Sequence, residues 1–220
     1  IVESNQPWVL SANGTIFTYE FEGIIPGLLA RWYKERKEMQ AKLKEVRNAG
    51  NDIEEEYWDK RQLVKKINLN SLYGAILNPG CRFFDNRIGQ STTLTGRQIT
   101  KHMAAKINEI IAGEYDHVGK AIIYGDTDSA YFSAYTTLKK DIQAGNIPWS
   151  VENVIELYDT IGDEASNTFP KFMKDAFHCP KKHGEVIRAG REIVASKGLF
   201  ITKKRYAALV VDNEGKRMDV

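Results

Sequence analysis

Two helix-forming runs joined by a very short loop constrain this chain more than any other feature. Leu28 to Val46 has no Gly or Pro and is rich in Leu, Ala, Lys, Glu and Arg at helical spacing. A second run, from about Ile53 to Leu77, stops at Asn78-Pro79-Gly80. Between them, Asn48-Ala-Gly-Asn-Asp52 supplies a C-cap, a turn and a new N-cap. Helices joined so tightly must be antiparallel neighbours, so the sequence predicts an αα-hairpin able to project from the body.

The rest of the chain alternates strand and helix signals. Asn13-Gly14 lies between Trp8-Val-Leu10 and Thr15 to Phe21, a strong β-hairpin pattern. Cys81-Arg-Phe-Phe84 is a short strand candidate, and Thr92 to Ile111 reads as a helix with Ile99, Met103, Ile107 and Ile110 along it. An acidic hairpin over 119–133 comes next, then a polar connector to Pro148. Helices are expected over Val151 to Ala165 and, after a break at Pro170, over Phe169 to Phe177. Strands are expected at 185–188, 192–195, 198–201 and 206–211. The fold class is therefore α+β: a mostly antiparallel sheet with packed helices and one inserted helical hairpin.

With 220 residues the chain can bury a real core, and its net charge of +2 does not by itself announce a nucleic-acid binder. It contains no run of 18 apolar residues, so no membrane partner is expected. Cys81 and Cys179 lie far apart without metal spacing, which fits a reducing compartment such as the cytoplasm. The first residue is Ile1, and the opening residues read like the middle of a fold, so a segment of a longer protein is expected.

Three groups of residues can carry chemistry. Tyr124-Gly-Asp-Thr-Asp-Ser129 puts Asp126 and Asp128 at a hairpin tip, where mutual repulsion is relieved by a cation shared with something polyanionic; a plain solvated turn is the competing reading. On the second long helix, Lys66, Asn70 and Tyr73 fall within about 60° of one another, a face suited to a nucleotide, although an isolated stripe of this kind is more often a solvated face with Tyr73 leaning on the core. Arg36 and Lys37, midway along the facing helix, could approach the same ligand. Lys203-Lys204-Arg205-Tyr206 is a basic turn beside an aromatic, suited to nucleic-acid backbone contacts or simply to a charged sheet edge. Asp52-Ile-Glu54 is discounted as a helix N-terminus where acids are favoured, and His102, His117, His178 and His183 show no ligand spacing.

In this order and spacing, Lys66-x-x-x-Asn70-Ser-x-Tyr73-Gly74, Tyr124-Gly-Asp-Thr-Asp-Ser129 and Lys203-Lys-Arg-Tyr206 resemble family B (α-like) DNA polymerases, in wording nearest those of T4-like bacteriophages. The resemblance implies a palm-edge hairpin over 1–26, a fingers hairpin over 27–78 and a palm over 79–220. It implies that Asp128 ligates catalytic Mg²⁺, two ions in the complete enzyme, with Asp126 beside it in a less direct role. Lys66, Asn70, Arg36 and Lys37 would serve the incoming dNTP, and Tyr73 the nascent base pair. One turn after Arg36 the family has a further lysine where this chain has Gln40. Lys203, Lys204, Arg205 and Tyr206 would hold the primer end of the primer-template DNA, with Lys204 the direct contact.

The implied reaction is two-metal phosphoryl transfer onto a primer 3′-OH. No Asp-x-x-Ser-Leu-Tyr-Pro-Ser element, the family's motif A, is present in the chain. A partner segment carrying motif A and the thumb is therefore expected, and the isolated chain is expected to be inactive. The alternative is a non-catalytic palm module that grips DNA or a partner protein. A different two-metal phosphodiesterase fits Asp126 and Asp128 but leaves Lys66, Asn70 and Tyr73 without a task. If phage-encoded, the protein would work in the host cytoplasm.

Overall fold

The structure is a computed structural model that describes residues 6–218, so residues 1–5 of the expected edge hairpin lie outside the described region. The chain divides into two compact units, one mainly residues 13–92 and the other mainly 93–220 with 9–12. Strands β1 (Trp8–Leu10) and β2 (Ile16–Thr18) form a two-stranded sheet around Gly14, whose φ of 83° only glycine adopts at no steric cost.

In the first unit, α1 (Ile24–Ala49) and α2 (Asp52–Ile76) make the expected helical hairpin, α1 several residues longer than the sequence suggests and α2 shifted by a single residue. The loop chemistry is as anticipated. Gly50 closes α1 at φ 71°, and the Asn51 side chain accepts from the Glu54 N–H at 3.3 Å to start α2. Across the pair, Arg36 Nε donates to Gln62 Oε1 at 3.3 Å, Lys65 pairs with Glu35 while lying over the Trp32 ring, and Arg47 meets Glu55 at 2.8 Å near the tip. The Lys65 hydrogen bond holds the Glu35 carboxyl below its ordinary value.

The segment 81–84 is not a strand. Its amides close local turns instead, Cys81 N–H to the Asn78 carbonyl and Phe84 N–H to the Cys81 carbonyl. Helix α3 (Asn86–Ala112) then begins six residues earlier than the expected Thr92. The early start requires Gly89, since a Cβ there would lie 1.9 Å from Leu77 Cδ2.

The second unit is organised on the C-terminal half of α3. Ile107 packs with Ile161 and Ala165 of α5 (Val151–Asn167), and Ile122 and Phe132 join that core from β3 (Ile122–Asp126) and β4 (Ser129–Phe132). The base of the acidic hairpin is thus anchored in apolar packing while its tip stays outside. Fully buried Asn108 fixes the approach, donating to the Glu114 carbonyl at 2.8 Å and accepting from the Ala121 N–H at 3.0 Å. Met173 and Phe177 of α6 (Phe169–Phe177) form a second cluster with Cys179, Ile99 and Ile187.

Further differences lie in the connections. The supposed connector after the hairpin contains α4 (Tyr135–Gln143), and residues 185–188 are not a strand but follow the one-turn α7 (Lys181–Gly184). The two short strands expected at 192–195 and 198–201 are one bulged strand, β5 (Ile193–Thr202), pairing antiparallel with β6 (Arg205–Asn213), which in turn pairs with β7 (Lys216–Arg217). The architecture is α+β, with small antiparallel sheets among the helices.

His102 on α3 is a buried group with a structural role. Thr168 donates its hydroxyl to the Ala165 carbonyl, so toward His102 Nε2 at 2.9 Å it accepts, which leaves Nδ1 to accept from the Tyr115 hydroxyl at 2.7 Å. The ring also stacks on Phe172 at 4.0 Å. Burial, then the nearby Lys106, lower the His102 pKa from 6.5 to about 4. The unfolded state therefore takes up a proton below pH 6.5 that the folded state refuses, so stability present above that pH declines until about pH 4. The shift corresponds to about 3 kcal/mol. Denaturant titrations at pH 7.5 and 4.5 should show this loss in the native protein and a smaller one in His102→Gln; equal losses would remove His102 as the cause.

Candidate functional site

The acidic turn is built by hairpin geometry. Asp126 pairs with Ser129 in the β3–β4 ladder, leaving Thr127-Asp128 as a two-residue turn. Thr127 has φ 45°, a conformation that costs a β-branched residue on the order of 1 kcal/mol or more. Two hydroxyls brace the turn. Ser129 Oγ donates to the Asp126 carbonyl at 3.1 Å, and Thr100 Oγ1 on α3 lies 3.2 Å from the Thr127 carbonyl.

The two carboxylates have different surroundings. Asp126 is half-buried on the face shared by Ile122 and Tyr124; its Oδ1 accepts from Thr127 Oγ1 at 3.2 Å and its Oδ2 lies 3.7 Å from Lys204 Nζ. Asp128 is exposed, and among the described residues its carboxylate has no partner. Among the described residues, no three His, Cys, Asp or Glu side chains converge as a metal site. Mg²⁺, however, is commonly held by one or two carboxylates plus substrate phosphates, and the Asp128-Asp126 pair fits that partial donor set.

Beside this turn lies the basic one. Thr202 pairs with Arg205, so Lys203-Lys204 is the turn of the β5–β6 hairpin, with Lys204 at φ 63°. The Lys204 N–H donates to the Tyr124 hydroxyl at 2.8 Å. The Tyr131 and Tyr206 hydroxyls are 2.7 Å apart, and Phe200 stacks on Tyr206 with ring centroids at 5.4 Å and planes 19° apart. Lys203, Lys204 and Arg205 are exposed, whereas the Tyr206 hydroxyl is engaged by Tyr131. The lysine and acid turns, seventy-odd residues apart in sequence, are thus brought together by aromatic side chains.

The residues expected to bind nucleotide all lie on the helical hairpin of the first unit. Lys66 and Asn70 are exposed and Tyr73 is half-buried on α2. On α1, Arg36 is half-buried opposite Gln62, one helical turn before Lys66, and the exposed Lys37 lies over the Tyr33 ring at 5.4 Å. Arg36 and the Lys66 face are therefore neighbours across the helix pair. Asp52 and Glu54 sit in the first turn of α2, as their discounting anticipated.

Thr100 and Tyr131 carry no motif, and sequence reasoning passed over both. Tyr131 could have been found from register alone, because a two-residue Thr127-Asp128 turn places it opposite Tyr124. Thr100 has no comparable signal.

A family model described as DNA polymerase family B matches residues 9–171. The chain belongs to that family. Its relatives include DNA polymerase 1 of Pyrococcus abyssi, 27% identical over 203 residues, which span 92% of this chain and 21% of that protein. The DNA polymerase delta catalytic subunit of Oryza sativa subsp. japonica is 31% identical over 89% of this chain and 15% of its own length. The DNA-directed DNA polymerase of Escherichia phage RB69 is 31% identical over 71% of this chain and 18% of its own. The family B DNA polymerase from the archaeon Pyrobaculum calidifontis has the same fold, with a TM-score of 0.54 at 21% identity over 97% of this chain and 23% of that one. The chain spans about a fifth of the length of these proteins.

Proposed function

We propose that this chain is the fingers-and-palm portion of a template-directed DNA polymerase that adds dNTPs to a primer 3′-OH. Residues 27–78 serve as fingers, 79–220 as palm and 1–26 as its edge. The observation that carries this reading is the Asp128 carboxylate, without a partner among the described residues, at a strained turn set beside an exposed lysine turn by the Tyr124–Lys204 contact. A free carboxylate suits a divalent cation, and an exposed lysine pair suits a phosphodiester backbone.

Each side chain then has a defined task. Asp128 holds Mg²⁺ with Asp126 assisting, and Lys204 keeps Asp126 oriented through their ion pair. When bound, the metal neutralises triphosphate charge and makes the primer hydroxyl easier to deprotonate. Lys203, Lys204 and Arg205 hold the primer-template backbone. Lys66 and the remaining guanidinium donors of Arg36 take phosphate oxygens, with Lys37 adding positive charge, Asn70 hydrogen-bonding and Tyr73 offering a ring to the base pair. The family's Asp-x-x-Ser-Leu-Tyr-Pro-Ser element is not among these 220 residues, so a segment carrying it, with the thumb, is the expected partner, and residues 1–220 alone should not extend a primer. The wording of the motifs favours a T4-like phage enzyme acting in the host cytoplasm.

Primer extension by a polymerase polypeptide carrying residues 1–220 tests the reading through Lys66→Ala. Loss of one charge-assisted phosphate contact, worth about 1.5–3 kcal/mol, should raise KM for dNTP roughly 10- to 150-fold with primer-template affinity unchanged. An unchanged KM would contradict the nucleotide assignment. DNA binding that is salt-dependent yet never accompanied by extension would instead favour a non-catalytic module.

A further inference from the structure

We infer that Tyr131 is a positioning residue: its hydroxyl, bonded to that of Tyr206, ties the lysine turn to the acidic turn, so that the grip on the primer end and the carboxylates of Asp126 and Asp128 move as one body. This inference rests on the proposed polymerase function for its catalytic consequence, but not for its geometry.

The argument starts from how weakly the two hairpins are otherwise joined. They belong to separate sheets, and no backbone ladder links them among the described residues. The acidic hairpin is a two-stranded ribbon, marginally stable alone, and each of the two turns holds a non-glycine residue at positive φ, Thr127 at 45° and Lys204 at 63°. Such turns keep their shape only when surrounding groups restrain them. The restraints are side chains: Tyr124 accepts from the Lys204 amide at 2.8 Å, and Lys204 Nζ lies 3.7 Å from Asp126. Beneath these contacts sit four rings. All four touch one another, and Tyr131, with centroids 5.7 Å from Tyr124, 5.4 Å from Phe200 and 5.2 Å from Tyr206, carries the contact from the acidic hairpin to both strands of the basic one.

Tyr131 also belongs to the acidic hairpin's anchored half. Its neighbour Phe132 packs into the α3–α5 core, so a displacement of β6 is transmitted through Tyr131 to a strand that cannot follow freely. The hydrogen bond to Tyr206, then burial, push the Tyr131 phenol up to about 12, so the hydroxyl pair stays intact across the working pH range. A further consequence concerns Tyr206: its hydroxyl is engaged by Tyr131, so its contribution to primer grip is to hold Lys203 and Lys204 in place.

Tyr131→Phe and Tyr206→Phe remove one hydroxyl each and keep the rings. In a polymerase polypeptide carrying these residues, each single variant should lower the rate at saturating dNTP about tenfold and raise the Mg²⁺ concentration for half-maximal rate several-fold. KM for dNTP and the thermal midpoint should stay close to those of the unmodified enzyme. The double variant should lose no more than either single one, because both delete the same bond. A purely structural role would lower the midpoint without shifting the Mg²⁺ curve, and that result, or additive losses, would overturn the inference. On the 220-residue chain itself, amide exchange at 126–129 should quicken in Tyr206→Phe, a change made on the other hairpin. Unchanged exchange would refute the coupling directly, whereas quickened exchange here together with no primer extension by the longer polymerase polypeptide that carries residues 1–220 would refute the polymerase reading alone.

Discussion

Replacing Arg191 with alanine is expected to destabilise the unit that carries the acidic hairpin by about 3–5 kcal/mol, read from the shift of its denaturant midpoint. Asp212, on β6, is only 2% exposed. Its carboxylate is bound by the Arg191 guanidinium and by the Gly215 N–H at 3.0 Å. Burial alone would raise the Asp212 pKa, but Arg191 and the Gly215 amide outweigh it and hold the carboxyl below its usual range. Arg191→Ala would leave that charge buried with one backbone donor. The second arm of the fork, 2.6 Å to Asp159 on α5, reaches a half-exposed acid and contributes much less.

Since whole domains are stable by only about 5–15 kcal/mol, this is roughly a third or more of the stability of a typical domain. The folded Asp212 pKa lies below the unfolded one, so the contribution is present above the ordinary carboxylate range and lost as pH falls through the folded value. The stabilities of native and variant proteins should therefore converge in acid. Asp212→Asn placed on the Arg191→Ala background should recover part of the loss. A single-variant cost under about 1 kcal/mol would mean that water reaches Asp212.

Arg191 shows where reading the sequence stops being sufficient. In the linear chain it is one of several basic residues before Lys203, with nothing beside it to mark a buried partner. The structure makes it an internal tie between β6 and α5. Partners 21 and 32 residues away leave no local trace. The helical hairpin was legible for the opposite reason: Gly50, Asn51 and Pro79 act within one or two residues of themselves, so caps and breaks are written where they operate. The start of α3 was missed because Asn86, Gly89 and Ser91 have low helix propensity, which packing of Gly89 against Leu77 overrides. Helix α4 was missed in the same way, since Thr136 and Thr137 are poor helix formers and no side chain caps its start.

For the candidate site, the same division holds. The two-residue turn that exposes Asp128 follows from the Thr127-Asp128 spacing between apolar strands, and the pairing of Tyr124 with Tyr131 follows from that register. That Lys204 is held by Tyr124, and Tyr206 by Tyr131, depends on how two separate hairpins pack against each other. Those contacts span 80 and 75 residues. No pattern within either hairpin encodes them.

The largest effect on activity is expected at Asp128. A carboxylate that holds a metal against developing phosphate charge supplies several kcal/mol to the transition state, so Asp128→Asn should lower the extension rate about 10³-fold or more. Asp126→Asn should cost less, because Asp126 is already occupied by Lys204 and Thr127. Both substitutions keep size and shape and lie at an exposed or half-exposed turn, so folding should be unaffected. The decisive measurement is single-turnover primer extension at saturating dNTP and Mg²⁺ by a polymerase polypeptide carrying residues 1–220, with Asp128→Asn compared to the unmodified protein. The account predicts a loss of about 10³-fold with primer-template affinity retained; an Asp128→Asn enzyme within tenfold of the unmodified rate would contradict it.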